Sequence, residues 1–453
     1  MTTTIVLVFI IGYLLIVFEH PLKLDKTVSA LLTGSILWAL LALGFHSGSV
    51  EVIDSHSHLF NTTAGLTDAV EEGFTATLLH HIGKIAEILI FLIGAMTIVE
   101  IIDLHRGFEV LKGMVRTKSK KKLLWITGIL GFILSSIIDN LTATIVLITL
   151  LRKLIKDPKE RIWYASLIIT ATNAGGAWSP IGDVTTTMLW IGKKVTSGGL
   201  MEWMVLPSIA CFVVPYVIAS FLPVFKGSIE HVSQEDLKAE KLLSSRLILW
   251  LGLGSIVFVP IFKTITHLPP YIGMMLALGV VWMVSEYVHP EEDFTHEKKH
   301  LYSAHRALSR IEISSILFFL GILMAVAALE SNSINGVGSL QYMAESLEKA
   351  IPSRDIVVIL LGVLSAIIDN VPLVAASMGM FTDPLDAKIW HFIAYTAGTG
   401  GSMLIIGSAA GVAAMGMEKI DFIWYFKKIS WLAALGFLAG AAVFLIQYAL
   451  LGH

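Results

Sequence analysis

Long apolar segments recur along the whole chain, and they constrain its fold more than any other feature of the sequence. A helix needs roughly 20 apolar residues to cross the hydrocarbon core of a bilayer. The chain has 453 residues and is 55% hydrophobic and 15% charged, whereas soluble globular proteins carry about 25% charged residues. We therefore predict an all-α polytopic membrane protein with about ten transmembrane helices. The predicted crossings are residues 4–19, 28–45, 82–103, 162–192, 203–225, 246–263, 268–288, 311–330, 389–416 and 431–451.

Two further apolar stretches, 123–151 and 355–381, are each interrupted midway by an Asp-Asn pair. We interpret both as re-entrant hairpins that enter and leave the membrane on one side. With that choice and an outer N-terminus, the predicted inner segments hold 25 of the 32 lysine and arginine residues. Cytoplasmic loops carry such an excess of basic residues, so both termini are predicted to lie outside. The predicted inner segments are 20–27, 104–122, 152–161, 226–246, 289–310 and 417–430.

The two halves of the chain contain the same motifs in the same order. LSSIIDNLT at 134–142 matches LSAIIDNVP at 364–372 in six of nine positions, and GGAWSPIG at 175–182 parallels GGSMLIIG at 400–407. Each half has five crossings and one hairpin, and because five is odd the second half starts on the opposite side of the bilayer. This pattern predicts two inverted-topology repeats with broken helices, as in many secondary carriers. The predicted boundaries are 1–225 for the first repeat, 226–245 for a cytoplasmic linker and 246–453 for the second repeat.

Composition excludes several function classes. The net charge of −3 gives no reason to expect nucleic acid as a partner, and the single cysteine, Cys211, excludes disulfides and cysteine-rich metal sites. The chain has neither a Walker A pattern nor a dinucleotide fingerprint, so we expect no nucleotide and no redox cofactor. The N-terminus lacks a basic segment and a small-residue cleavage site, and is predicted to be a retained first span in a bacterial plasma (inner) membrane.

Three aspartates fall within the predicted membrane core and carry the functional hypothesis. Asp139 and Asp369 occupy the hairpin tips, and Asp183 follows the glycine-rich break of the fourth crossing. A carboxylate at the centre of a membrane helix costs on the order of 2.5–3.5 kcal/mol, so it must hold a cation or take a proton. These two states exclude each other, and such competition is sufficient for cation/proton exchange. We therefore predict that Na⁺ binds at Asp139, Asp183 and Asp369.

Neutral oxygen atoms surround these acids in the sequence, and oxygen ligands suit hard cations such as Na⁺. The alternative for each aspartate is a helix cap, in which the carboxylate accepts backbone N–H groups. The alternative for each hydroxyl is a bond to the carbonyl four residues earlier. The predicted neutral ligands are Asn140, Thr142, Asn173, Thr185, Thr186, Ser365, Asn370, Thr399, Ser402 and Ser408.

Glu87, His80 and His81 are weaker candidates, for an access route or for pH sensing. Histidine titrates near neutral pH, and the histidines at 46, 56, 58, 80 and 81 all fall on the predicted outer side. The alternative for the histidines is a solvated loop without any such role.

With Asp-Asn at both hairpin tips and TNAGGAWSPIGDVTT at 172–186, the whole chain resembles the NhaD-type Na⁺/H⁺ antiporters of the ion transporter superfamily. The resemblance implies exchange of Na⁺ or Li⁺ for H⁺, a homodimer, and a role in pH homeostasis under alkaline conditions. Ser408 stands where the first half has Asp183, which makes Asp183 the preferred proton-coupled group. The residues that the resemblance carries over are Asp139, Asn140, Asn173, Asp183, Thr185, Thr186, Ser365, Asp369 and Asn370.

Three other functions are alternatives to cation exchange. A Na⁺-coupled carrier of dicarboxylates or other anions, from the same superfamily, should have neutral hairpin tips, because a fixed carboxylate repels an anion. A membrane enzyme such as an intramembrane aspartyl protease would need catalytic surroundings that the two Asp-Asn pairs lack. Paired hairpins in inverted halves favour a gated carrier over a passive channel.

Overall fold

The computed structural model of the chain describes residues 1–54, 58–62, 67–112, 115, 117–229, 242–288, 302–351 and 353–451. Of the predicted linker 226–245, residues 230–241 lie outside the described residues, as does His56. The described part of the chain is almost entirely helical, as predicted.

The helices of the first half are numbered in chain order. A two-stranded antiparallel ribbon, Val52–Ile53 with Leu59–Phe60, lies between the third and fourth of them. The helices are α1 (Thr2–Val17), α2 (Glu19–Leu22), α3 (Lys26–His46), α4 (Asp68–Leu104), α5 (Glu109–Lys112), α6 (Lys120–Ser135), α7 (Asn140–Leu154), α8 (Pro158–Gly176), α9 (Val184–Ile191) and α10 (Ser197–Ala219), followed by a 3₁₀ turn at Pro223–Phe225.

The second half continues the numbering and contains a second short ribbon, Ser333–Ile334 with Val337–Gly338. Its helices are α11 (Ser245–Thr266), α12 (Pro270–Tyr287), α13 (Ala304–Leu308), α14 (Ile313–Ser331), α15 (Ser339–Ala350), α16 (Arg354–Leu364), α17 (Asn370–Met380), α18 (Lys388–Gly400), α19 (Ala409–Glu418), α20 (Phe422–Lys428) and α21 (Ser430–Leu451).

The helices account for the predicted crossings. Within the described residues, seven helices are long and apolar enough to cross a membrane: α3, α4, α10, α11, α12, α14 and α21. The shorter apolar helix α1 and the broken pairs α8–α9 and α18–α19 coincide with the other three predicted crossings. The chain is therefore a multi-pass membrane protein.

One helix differs from the prediction. α4 begins at Asp68, whereas the predicted crossing begins at residue 82, because a single stripe of buried residues extends the helix beyond its apolar part. Phe74, Thr77 and His81 form this stripe at helical spacing. The loop alternative for the histidines is thus wrong for His80 and His81, which lie in α4. His81 is buried, with its Nε2 3.0 Å from Ser331 Oγ, whereas His80 is exposed.

Both predicted hairpins are present as pairs of short helices. α6 and α7 have 16 and 15 residues, and α16 and α17 have 11 each. Each is shorter than the roughly 20 residues needed to cross the hydrocarbon core, in agreement with a re-entrant path. The chain turns at the Asp-Asn pairs, since α7 starts at Asn140 and α17 at Asn370.

The described residues form two compact units, each assembled from segments of both halves. Unit 1 comprises residues 1–90, 312–358 and 371–384, and unit 2 comprises residues 91–311, 359–370 and 385–453. In unit 1, α3 and α14 pack closely, and Trp38 Nε1 donates a hydrogen bond to the carbonyl of Met324 at 2.9 Å. The repeat boundaries at 225 and 246 stay a prediction.

A buried ion pair in unit 2 joins the end of α19 to the first hairpin and the start of α8. The Glu418 side chain is 0% exposed, and its two carboxylate oxygens accept from Arg152 Nε at 2.7 Å and Arg161 Nε at 2.6 Å. Arg161 also donates to the carbonyl of Ile155 at 2.8 Å. Removing one member of such a group leaves a buried charge without its partner, which is strongly destabilising.

We expect the substitution Glu418→Gln to destabilise the protein by about 3 kcal/mol or more, because the charge of Arg161 would stay buried without a carboxylate. The measurement is the thermal unfolding midpoint of the detergent-solubilised protein. The matched control is Glu348→Gln, since Glu348 pairs with Arg354 but both side chains are partly exposed, at 30% and 51%. An exposed pair contributes at most about 1 kcal/mol, so equal losses in the two variants would contradict a stabilising role for Glu418.

Candidate functional site

The first helix break separates α8 from α9, at residues 177–183. The sequence there breaks the helix because Pro180 has no N–H and glycines precede and follow it. Gly182 permits a close approach of the first hairpin, since a Cβ at this position would lie only 2.6 Å from the carbonyl oxygen of Ser135. Asp183 then caps α9, its Oδ1 accepting the N–H of Thr185 at 3.4 Å.

The second break, between α18 and α19, repeats this arrangement. Ser408 caps α19, its Oγ accepting the N–H of Gly411 at 3.2 Å. Its backbone angles, φ −145° and ψ 152°, are nearly those of Asp183, φ −146° and ψ 150°. A Cβ at Gly407 would lie 2.5 Å from the carbonyl oxygen of Ala366 in the second hairpin. The two halves therefore share their local structure but differ in the capping side chain.

A serine at each hairpin tip fastens the tip to the neighbouring broken helix. Ser135 Oγ donates to the carbonyl of Thr172 at 2.6 Å, and Ser365 Oγ donates to the carbonyl of Ala397 at 2.9 Å. Ser365 is among the predicted ion ligands and Ser135 is not, although the internal repeat aligns the two residues. The repeat itself was therefore the signal that could have identified Ser135.

Asp139, at the tip of the first hairpin, caps α7. Its Oδ1 accepts the N–H of Thr142 at 2.8 Å, and its Oδ2 accepts the hydroxyl of the same residue at 2.6 Å. The side chain is partly exposed. This is the capping alternative for Asp139, and it is compatible with ion binding because each carboxylate oxygen keeps a further lone pair. Asp369 lies at the equivalent position before α17 and is also partly exposed.

Four buried side chains link the first hairpin tip to the second break. Asn140 Nδ2 donates to Asn173 Oδ1 at 3.0 Å. The amide nitrogen of Asn173 in turn donates to Ser402 Oγ at 2.9 Å and to Ser408 Oγ at 3.0 Å. All four residues are at most 4% exposed.

A second link joins the other hairpin tip to the first break. Asn370 Nδ2 donates to Asp183 Oδ2 at 3.2 Å, and Asp183 is only 3% exposed. The hydroxyl of Thr185 lies beside the same carboxylate and is buried without a hydrogen bond of normal geometry to any described group. A hydroxyl next to a buried carboxylate can donate its own proton to the carboxylate, and its oxygen lone pairs can still coordinate a small cation.

The remaining predicted hydroxyls mainly bond to the backbone. Thr186 Oγ1 donates to the carbonyl of Asp183 at 2.9 Å, and Thr399 Oγ1 donates to the carbonyl of Tyr395 four residues earlier at 2.6 Å. Thr144 and Thr172 are not among the predicted site residues, but both are buried and their hydroxyl oxygens lie 2.8 Å apart. Nothing in the spacing of these two residues indicates that they meet.

The three predicted carboxylates do not form a shared cage. No three His, Cys, Asp or Glu side chains among the described residues are arranged to hold a metal ion. Asp139 and Asp369 interact electrostatically with Asp183, but the deeply buried carboxylate is Asp183 alone. Glu87, His80 and His81 belong to unit 1, whereas the hydrogen-bonded network belongs to unit 2.

The helix ends at the breaks favour opposite charges. The N-terminus of α9 carries a partial positive charge, which favours an ionised Asp183. The C-terminal carbonyls of α8 and α18 carry a partial negative charge, which favours a cation nearby. No described lysine or arginine forms an ion pair with Asp183 or Asp139. The arrangement can thus hold a small cation or a proton on a carboxylate at membrane depth.

The chain is similar in sequence to known carriers along most of its length. The sequence profile of the family described as citrate transporters, CitMHS, matches residues 13–391. Sodium/proton antiporter 1 of Arabidopsis thaliana is 43% identical, over 97% of this chain and 71% of the relative. The Na(+)/H(+) antiporter NhaD of Halomonas elongata is 31% identical, over 97% of this chain and 87% of the relative.

A solved structure shares the fold. The YdaH transporter of Alcanivorax borkumensis, described as having an unusual topology, matches with a TM-score of 0.60 at 13% identity, over 94% of this chain and 98% of that one. At that identity the likeness concerns the fold alone. The profile match and the sequence identities, by contrast, establish kinship: the chain belongs to the ion transporter superfamily, and within it to the NhaD-type Na⁺/H⁺ antiporters, which it matches along with the citrate transporter profile.

Proposed function

We propose that this protein exchanges Na⁺ or Li⁺ for H⁺ across the membrane by alternating access. The observation that carries the proposal is the burial of Asp183, which is 3% exposed and lies at a helix break where no basic side chain of the described residues pairs with it. An ionised carboxylate in that position costs several kcal/mol unless a cation or a proton neutralises it. Relatives named as Na⁺/H⁺ antiporters support the same function.

The asymmetry of the two halves supports a single proton-coupled group. Asp183 in the first break corresponds to Ser408 in the second, and Asn173 corresponds to Gly398. Only one buried position of the pair can therefore lose and regain a proton. Asn173, Asn370 and the Thr185 hydroxyl would supply neutral oxygens to the bound cation, while Asp183 supplies its counter-charge.

Each hairpin tip is hydrogen-bonded to the helix break of the other half, and this pattern supports alternating access. The tip of the first hairpin is linked through Asn173 to the second break, and the tip of the second hairpin is linked through Asn370 to the first break. A movement of one hairpin would therefore change the surroundings of the break in the other half. Inverted repeats commonly alternate in this way around a site near the bilayer midplane.

The same proposal includes the setting of the carrier. We place it as a homodimer in a bacterial plasma membrane with both termini outside, where it would contribute to pH homeostasis. The transported ions Na⁺, Li⁺ and H⁺ are its substrates, and we propose no enzymatic activity, cofactor, nucleotide or nucleic-acid partner. The basic-residue asymmetry of the sequence supports the orientation.

Citrate or another anion is the second candidate substrate, since the matching family profile is described by citrate transport. The buried carboxylate argues against it. Asp183 would repel a carboxylate substrate in a medium of low dielectric constant, where like charges interact strongly. We therefore favour cation exchange.

We expect everted membrane vesicles that contain this protein to dissipate an imposed ΔpH when Na⁺ or Li⁺ is added. Succinate or citrate as the choline salt should have no such effect. The measurement is the fluorescence of a ΔpH-sensitive dye, compared with vesicles that lack the protein. Dissipation by the anions without a response to Na⁺ would instead favour the anion carrier.

We expect Asp183→Asn to abolish exchange, because an asparagine side chain can neither take up a proton nor supply the counter-charge of a bound cation. Asparagine caps helices as well as aspartate does, so the helix start should survive. The matched control is Asp157→Asn, where an exposed aspartate caps α8 through the N–H of Lys159 at 3.0 Å. Full activity in Asp183→Asn would show that the carboxylate is only a cap.

We expect Asp139→Asn and Asp369→Asn each to abolish exchange without affecting membrane insertion. The reason is that both carboxylates flank the network and act on Asp183, while asparagine retains the capping geometry. The control for Asp139 is Asp421→Asn, because exposed Asp421 caps α20 through the N–H three residues later, also at 2.8 Å. If either variant exchanges ions at the rate of the unmodified protein, the aspartate at that hairpin tip only caps its helix and takes no part in exchange.

A further inference from the structure

A cavity of about 490 Å³ in unit 2 follows α7 along most of its length. Its lining residues on α7 extend from Thr142, next to the hairpin tip, to Lys153, near the C-terminal end of the helix. At 1.5 Å per residue this distance is about 16 Å. The other lining residues belong to the end of α4, to the segment 106–111 and to the position of Arg310. A cavity of this size has room for more than ten water molecules at about 30 Å³ each.

The inner end of the cavity reaches the candidate ion site. Thr142 lines the cavity, and its hydroxyl donates to Asp139 Oδ2 at 2.6 Å. Asp139 is the residue immediately before Asn140, which bonds to Asn173 in the buried network. A cation at the inner end would therefore be one side chain away from the carboxylate at the hairpin tip.

The end of the cavity near Lys153, far from the candidate ion site, is lined by carboxylates that form ion pairs with basic side chains. This end is called the outer end of the cavity, since it lies away from the ion site. Arg310 contacts Glu100 through Nε at 3.1 Å and Asp103 through Nη2 at 2.7 Å. Lys153 forms an ion pair with Oε1 of Glu109. The second oxygen of Glu109 is buried and accepts no hydrogen bond from a described residue. The cavity lining thus contains three carboxylates, on Glu100, Asp103 and Glu109, and three basic side chains, Arg106, Lys153 and Arg310.

The sequence predicts which side of the membrane this end faces. Lys153 and Arg310 belong to the predicted inner segments 152–161 and 289–310. Arg106, which also lines the cavity, belongs to the inner segment 104–122. The positive-inside rule therefore assigns the charged end of the cavity to the cytoplasmic face.

We propose that this cavity is the cytoplasmic access path through which Na⁺ reaches the first hairpin tip, and that Arg310 limits this access by neutralising Glu100 and Asp103. The proposal rests on the proposed cation exchange and adds the route and a residue that determines apparent affinity. Carboxylates that line such a path attract cations into it, and basic side chains beside them weaken that attraction. With Arg310 in place, that attraction is partly cancelled.

Cysteine accessibility tests the path independently of transport. The single native cysteine, Cys211, is buried, so the unmodified protein serves as its own background. Val146 lines the cavity, whereas Ile148, two residues further along α7, is 0% exposed in a hydrophobic cluster with α19. The test compares Val146→Cys with Ile148→Cys, using a positively charged, membrane-impermeant methanethiosulfonate reagent on everted and right-side-out vesicles.

We expect Val146→Cys to be labelled in everted vesicles and not in right-side-out ones, and Ile148→Cys to be labelled in neither. Labelling should abolish exchange and should be slowed by Na⁺ but not by choline. If Val146→Cys is unreactive in everted vesicles, or reacts from the other side, while Na⁺/H⁺ exchange persists, the access path is refuted and the proposed function stands. If labelling succeeds in a protein without any Na⁺/H⁺ exchange, the proposed function fails and the cavity is an aqueous path of another kind.

The role of Arg310 has its own measurement. We expect Arg310→Gln to lower the half-saturating Na⁺ concentration for exchange by about tenfold, because two carboxylates at the outer end lose their counter-charge. The matched control is Arg354→Gln, since Arg354 also pairs with two carboxylates, Glu348 at 2.8 Å and Asp383 at 2.9 Å, but does not line the cavity. An unchanged or increased half-saturating concentration in Arg310→Gln would overturn this role.

Discussion

Contact between hairpin tips and helix breaks is the interaction on which the rest of the site depends. Backbone groups at membrane depth must be satisfied within the protein, because lipid offers them no partner. Ser135 and Ser365 supply part of this satisfaction by donating to carbonyls of the broken helices. Gly182 and Gly407 allow the approach, since a side chain at either position would collide with hairpin carbonyls. Non-helical backbone can therefore persist there and present its polar groups to a small ion.

Chemical asymmetry on a symmetric backbone then determines what the site can do. The two breaks have nearly identical backbone angles at Asp183 and Ser408, but only Asp183 can be charged. A symmetric pair of buried carboxylates would double the desolvation cost and add mutual repulsion. A single carboxylate with neutral oxygens around it suits a cation and a proton that exclude each other.

Helix α7 contacts the first hairpin tip, the cavity and helix α19. Its first turn is capped by Asp139, and one of its faces lines the cavity from Thr142 to Lys153. Its other face packs against α19 in a hydrophobic cluster, and at its base Arg152 pairs with buried Glu418. The neighbouring residues Arg152 and Lys153 thus have different partners, one in the protein core and one at the cavity. Helix α7 therefore contacts both the cavity and the helix that follows the second break.

The sequence by itself determined the helices, the breaks and the repeat. Apolar length predicts the crossings, glycine and proline predict the breaks, and the matching motifs predict that the halves are related. These signals act over a few residues, or along one helix, so they can be recognised without knowing the fold. Hydropathy does not predict the start of α4, because the apolar window begins at residue 82 and the helix begins at Asp68. There, burial of His81 against Ser331 depends on a contact 250 residues away.

Only the tertiary structure decided which polar groups meet. Asn173 bonds to Ser408 across 235 residues, and Asn370 bonds to Asp183 across 187 residues. Likewise, the sequence did not indicate that Arg310 would reach Glu100 and Asp103, or that a cavity would extend to Thr142. Such pairings depend on how distant helices pack, and packing is a property of the whole fold, whereas helix propensity and hydropathy are properties of the local chain.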